Sequence, residues 1–366
     1  MYAAFAATGL GCALPGALLP TLLVEWRLDD GQAGALFFLA FIGSSLGALT
    51  IRNVLKVSIL AGSMLLVASM VGLAFATQGL IRPLMLVYGL GLGTTMTSIS
   101  LLRQRQRAAT RSVELVRLNL MWAVGACVCP VLMTRALESG NARGVMLSLA
   151  VFFAAFFVVT LVFESAEERL SQRDGFSFEA ALAIRRVPLV LIVMVMLVTG
   201  IEAAGGAWLA SYAQRAQQGL AETVAAPTCM WAGLFCSRLV GSLSRAEEWL
   251  RRGFLGLLLA VAGATIGLVA YGHGTPLLGS AFLLGFGLGP LYPILLARVM
   301  VFREATSIFF LAGVSAAVLP WLTGVTSSRL HSLQAGLTVP AFSGLMLLGL
   351  GLVWELRAGT KAESVQ

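Results

Sequence analysis

The chain has 366 residues, of which 58% are apolar and only 11% charged, and its mean hydropathy is +0.89. Soluble domains carry about a quarter charged residues, so this composition excludes a water-soluble fold. The net charge of +8 comes without a clustered basic domain interleaved with aromatics, which argues against a nucleic-acid binder.

Apolar blocks of membrane-crossing length, about 20 residues each, follow one another along the chain. The spacing predicts spans at 2–24, 31–51, 57–76, 83–102, 118–137 and 144–163. A second six are predicted at 188–212, 221–240, 253–271, 276–297, 307–327 and 337–354. The first block begins almost at Met1 without the basic start of a cleavable signal, so it reads as a retained helix. Glu164 to Val187 is the one long polar stretch. The expected organisation is a six-helix bundle over 1–165, a cytoplasmic linker over 166–187, and a second bundle with a short tail over 188–366. Within the linker, Ser177 to Arg186 has the pattern of a short amphipathic surface helix, with a plain loop as the alternative.

Charge placement predicts the sidedness. With twelve spans and both termini cytoplasmic, 19 of the 25 basic residues fall on the inner side, among them Lys56, Arg103, Arg117, Arg238, Arg298 and Arg357. The outer side keeps Arg27, Arg82, Arg135, Arg143, Arg215 and Arg329. The expected setting is a bacterial cytoplasmic membrane. All five cysteines lie in apolar blocks and read as small packing residues.

The two halves echo each other. Thr8-Gly9 matches Thr199-Gly200, and Gly89, Gly91 and Gly93 match Gly285, Gly287 and Gly289. The stretch from Gly125 to Pro130 resembles Gly313 to Pro320. Repeated bundles about an axis along the membrane normal are one way carriers build two gates around a midplane site.

Several segments carry a family resemblance. They are Gly16 to Pro20 with Gln32-Ala33-Gly34 and Phe41-Ile42-Gly43, then Gly200-Ile201-Glu202 with Gly206, Trp208 and Tyr212. Gly285 to Pro293, Leu319 to Gly324, Gln334 to Pro340 and Leu118-Asn119-Leu120 complete the set. With them the chain resembles the major facilitator superfamily, and within it the fucose permease-like branch. The resemblance implies an all-α membrane fold of two pseudo-symmetric six-helix bundles that takes up a sugar or related solute with a cation. The loop after span 2 is reduced relative to the superfamily pattern. Spans 1 and 4 lack the acids of the fucose permease, with Gly11, Cys12, Thr94, Thr95 and Thr97 in their place.

Glu202 is the leading candidate for ion coupling or substrate contact. It lies about 14 residues, roughly 21 Å, into span 7. A carboxylate at that depth must be protonated, paired or facing water, and such acids mark pathways. The alternative is a structural acid bonded to a neighbouring helix. Trp208 and Tyr212 are four apart and could stack on a sugar ring, or form an interfacial aromatic belt. Both could share a ligand with Glu202 only if Gly205-Gly206 broke the helix. Asn119, Thr94 and Thr97 could bond solute hydroxyls or neighbouring helices. Tyr292, between Pro290 and Pro293, and Trp321, after Pro320, sit where prolines free backbone groups.

The glycine pairs at 43/47, 89/93 and 285/289 have the spacing of close helix contacts. The two histidines offer no metal spacing or triad, and no cofactor is expected. The function expected is secondary active transport of a small solute, most simply a sugar or polyol, by a functional monomer in the lipid bilayer with a proton or sodium ion. Drug or metabolite efflux is the alternative, and a membrane enzyme or receptor a remote one.

Overall fold

A computed structural model of the chain describes residues 1–51, 54–106, 111–163, 187–216, 220–241, 253–300 and 306–363. Among the described residues there are twelve long helices. In the first half they are α1 (Tyr2–Glu25), α2 (Asp30–Leu49), α3 (Leu55–Ala74), α4 (Ile81–Gln106), α5 (Arg111–Glu138) and α6 (Ala142–Phe163). In the second they are α7 (Leu189–Ala216), α8 (Leu220–Gly241), α9 (Phe254–Ala270), α10 (Gly274–Met300), α11 (Thr306–Leu330) and α12 (Thr338–Glu363). A single helical turn, Leu333–Gly336, precedes α12.

Eleven of these are long and apolar enough to cross a membrane, and α9 is described over only 17 residues. With no water in the hydrocarbon, each helix must satisfy its own backbone, which leaves long uninterrupted helices as the solution. The predicted spans fall on these elements with shifted ends. Helix α4 continues to Gln106, α5 begins at Arg111 rather than near 118, and α12 runs on to Glu363. Polar residues at helix ends project past the apolar layer, where hydropathy stops reporting a helix whose hydrogen bonds continue. The segment 164–186, with its amphipathic stretch from Ser177 to Arg186, lies outside the described residues, as do Arg52, Arg107, Arg245, Arg251, Arg252 and Arg303.

The helices alternate in direction, so the molecule has a proximal end, where α1 begins and α12 ends, and a distal end. At the proximal end the buried Glu114 carboxylate gathers the first bundle. It accepts from the Tyr2 hydroxyl at 2.6 Å and the Arg117 guanidinium at 3.1 Å, and Arg103 stands 3.4 Å away. Arg298 of α10 bonds Glu355 of α12 at 3.0 Å at the same end.

The sequence repeat is a packing repeat. A side chain at Gly89 or Gly93 would collide with the α2 backbone at Ala40 or Ser44, and one at Gly285 with the α8 backbone at Met230. Gly43 of α2 lies against Leu86 of α4, and Gly233 of α8 lies against Phe282 of α10 in the same way. The pairs α2–α4 and α8–α10 are therefore equivalent, each held by backbone contact that only glycine permits.

Across the halves, α2 packs along α11, α5 against α8, and α1 against α7. The α1–α7 crossing is tight, because a Cβ at Gly16 would strike the Gly206 carbonyl oxygen. Helix α7 runs unbroken through Gly205 and Gly206. Those glycines do not break the helix, since its backbone stays paired; they admit Met230 and Trp231 of α8.

Candidate functional site

Between the halves lies a cavity of about 230 Å³. Cys12 and Gly16 of α1, Phe37 and Phe41 of α2, Met96 of α4, and Asn119 and Trp122 of α5 line it from the first bundle. The second bundle supplies Thr199, Glu202, Ala203, Gly206 and Ala207 of α7, Trp231 and Arg238 of α8, Tyr292 of α10 and Ala316 of α11. Most of the wall is apolar or aromatic, and the polar groups are few and convergent, as in small-molecule sites generally.

Towards the distal end the cavity is closed in layers. The first is the Gly16–Gly206 backbone contact, and the second is Phe37 edge-on to Trp208 with ring centroids 5.8 Å apart. The third is ionic. Asp30, at the start of α2, accepts from both guanidinium nitrogens of Arg215 at the end of α7, the Nη1–Oδ2 distance being 2.8 Å, and from the Ser327 hydroxyl of α11. Asp30 is held there by the α2 start, where Asp29 and Gln32 form a reciprocal capping box.

At the heart of the cavity Glu202 Oε2 stands 3.9 Å from Arg238 Nη2. That is an ion pair within Coulombic reach but beyond the roughly 3.2 Å of a hydrogen bond, so neither group is fully satisfied by the other. The Arg238 guanidinium also lies over the Trp122 ring, 5.5 Å from its centroid, and Trp122 meets Trp231 edge-on at 5.6 Å. Arg238 Nη1 is buried here without an acceptor, and the buried Trp122 Nε1 has only the Cys12 sulfur, a weak acceptor, to meet. Buried polar groups are nearly always satisfied, so an orphan guanidinium nitrogen beside a weakly satisfied indole N–H in a cavity wall needs a reason.

Of the residues singled out from the sequence, Glu202, Asn119 and Tyr292 come together on this cavity. The Asn119 amide nitrogen donates to the Leu115 carbonyl at 2.9 Å, one turn back on α5. Trp208 and Tyr212 lie elsewhere. Trp208 is fully buried and donates to the Pro320 carbonyl at 2.9 Å, while the Tyr212 hydroxyl donates to the Leu268 carbonyl at 2.8 Å. Thr94 bonds the Gly47 carbonyl of α2 at 2.9 Å. Thr97 is half-buried on α4 outside the lining, and Trp321 meets Phe38 in a tilted ring contact at 5.9 Å.

Arg238 was expected in an inner loop; the structure places it inside α8, with its side chain turned into the bundle. Its position at the edge of an apolar run is the usual place for an arginine that reaches outward to water. The signal that could have found it is the acid opposite, because a buried carboxylate calls for a cation within arm's length. Trp231 carried no signal beyond being an aromatic in a span.

The profile of the Major Facilitator Superfamily matches residues 1–304. The chain belongs to that superfamily. It is a multi-pass membrane carrier of the secondary transport type, not an enzyme. Comparison with curated protein sequences returns no match. Among solved structures, a mutant of the peptide transporter POT in complex with alafosfalin is 16% identical, with a TM-score of 0.73 over 98% of this chain and 93% of that one. A bacterial homologue of the human drug peptide transporters PepT1 and PepT2 is 13% identical, with a TM-score of 0.73 over 100% and 98%. Tetrameric PepTSo2 is 13% identical, with a TM-score of 0.72 over 99% and 98%. At these identities the likeness is one of fold. The superfamily is common ground with the sequence reading, whereas these three neighbours are peptide transporters and not fucose permeases.

Proposed function

We propose that this carrier moves one small organic solute through the central cavity by alternating access, coupled to a cation, with Glu202 as the group that loads and releases it. The observation that carries the reading is the Glu202–Arg238 pair in a cavity closed at its distal end. When Glu202 is ionised it holds Arg238; when it is protonated the arginine is released. One proton thereby changes how the α7 and α8 walls attract each other, and charged groups in a membrane interior belong to such pathways.

In this reading the bundles of residues 1–165 and 188–366 rock about the site, and 166–187 is the linker between them. Both termini face the cytoplasm of a bacterial cell, as the basic-residue bias supports. A sugar or polyol, the solute class of the fucose permease-like branch, is supported by Asn119 and Tyr292 beside the Trp122 and Trp231 faces. The peptide-transporter fold neighbours support a small polar metabolite more broadly. Phe37, Phe41 and Met96 make an apolar patch that favours efflux of an apolar compound as the second reading.

The test is transport in proteoliposomes under an imposed proton gradient, with labelled hexoses, dipeptides and a lipophilic dye as candidate solutes. Accumulation that collapses with the gradient is expected. In Glu202→Gln, counterflow of the same solute should persist while gradient-driven accumulation is lost. Accumulation unaltered in Glu202→Gln would refute the coupling role.

A further inference from the structure

We infer that the transported solute carries a carboxylate, and that Arg238 and the indole N–H of Trp122 form its binding subsite. The inference rests on the carrier reading above and names the chemistry of the same cavity. Arg238 Nη1 is buried without an acceptor, Trp122 Nε1 is buried with only the weakly accepting Cys12 sulfur to meet, and both belong to side chains that line the cavity. They are neighbours, because the guanidinium lies over the indole ring.

Glu202 does not satisfy this cluster. Its nearest oxygen is 3.9 Å from Nη2, and Nη1 is left over. What the wall lacks is an acceptor, and a negatively charged one meets a guanidinium best. A carboxylate matches the guanidinium fork with two parallel hydrogen bonds and leaves a lone pair for the indole N–H. A neutral hydroxyl offers one weak acceptor and no charge to balance Arg238 once Glu202 is protonated. The remaining wall fits the rest of such a solute, with Trp231, Phe37 and Phe41 against its body and Asn119 for a polar substituent.

The order of events follows from the charges. A proton on Glu202 frees the guanidinium, the solute carboxylate takes its place beside Arg238, and the site stays electrically balanced. No covalent bond changes; one proton and one anion move together.

The body of the solute can be aromatic or hydroxylated, and matched probes separate the two. The purified full chain is heated in detergent with 3-phenylpropionate or its amide, and with glucuronate or glucose. Bound ligand raises the unfolding temperature. Stabilisation by at least one of the two acids, with its neutral partner about tenfold weaker or inert, is the expected result. Arg238→Gln should abolish that difference, Arg238→Lys should keep part of it, and Trp122→Phe should weaken the acid several-fold. The acid-against-neutral comparison needs only the wild-type chain, so a variant that fails to fold leaves the test intact. Equal stabilisation by acids and neutral partners, or none by either acid, overturns the inference. Failure of the carrier reading shows differently, as absence of counterflow for every solute in proteoliposomes, whatever binds.

Discussion

Asp30 and Arg215, 185 residues apart in the chain, form a two-pronged ion pair that joins α2 of the first bundle to α7 of the second at the distal end of the cavity. The two partners differ in exposure, Asp30 at 9% and Arg215 at 42% of the side chain. Removing the arginine strands a buried carboxylate with Ser327 as its remaining hydrogen-bond partner in the described network, whereas removing the acid leaves a cation that can turn to water. Arg215→Gln is therefore expected to destabilise the closed form by about 1–3 kcal/mol, and Asp30→Asn by less. Thermal unfolding of both single variants and the double variant measures this, and equal losses from the two singles would contradict the asymmetry.

The same pair is the outermost of three closing layers, so loosening it should expose what lies beneath. Cys12 lines the cavity just inside the Gly16–Gly206 contact. In a variant keeping Cys12 as its single thiol, a membrane-impermeant maleimide applied from the distal side should react slowly. Arg215→Gln should raise that rate several-fold. Gly16→Ala should raise it as well, because the new methyl meets the Gly206 carbonyl and holds the two backbones apart. Unchanged labelling in both would show that the distal closure does not depend on these contacts.

The glycine ladder predicts a graded stability map. Ala at Gly89 or Gly285 must displace backbone of the facing helix, at a cost of about 1–3 kcal/mol each. Ala at Gly256 or Gly263 meets open space and should be neutral or slightly stabilising, as helix propensity gains. The melting temperatures of these four variants suffice. If Gly256→Ala were as harmful as Gly285→Ala, backbone approach would not be the reason for the repeat.

This ladder also shows what was legible before the fold was known. The repeat of Gly89, Gly91 and Gly93 at Gly285, Gly287 and Gly289 is visible because helix crossings at backbone distance admit no other residue. The acid at Glu202 is visible because the bilayer makes any buried charge conspicuous. The rotation of α7 was not legible. Which of its faces meets the cavity is set by how α8 and α11 pack against it, and every face of that helix is apolar enough to be buried. Trp208 and Tyr212 therefore look as available as Glu202 in the sequence, while the fold turns them to the Pro320 and Leu268 carbonyls. Arg238 was hidden for a related reason, since the direction an arginine takes at a helix end depends on what its neighbours leave open.

That rotation gives the last prediction. Trp208 donates its indole N–H to Pro320 and is sealed among α2, α7 and α11, so Trp208→Phe removes one buried hydrogen bond and part of a packed ring. The loss should be about 1–2 kcal/mol, seen as a lower unfolding temperature. The apparent KM for the transported solute should move by less than about twofold, because nothing the solute touches has changed. Trp122→Phe is the mirror case. Its indole N–H meets only the weakly accepting Cys12 sulfur, so stability should fall less than in Trp208→Phe while KM rises several-fold. Measuring both quantities on both variants separates a structural tryptophan from a binding one. A Trp208→Phe variant with normal stability and a large KM change would return Trp208 to the solute's path.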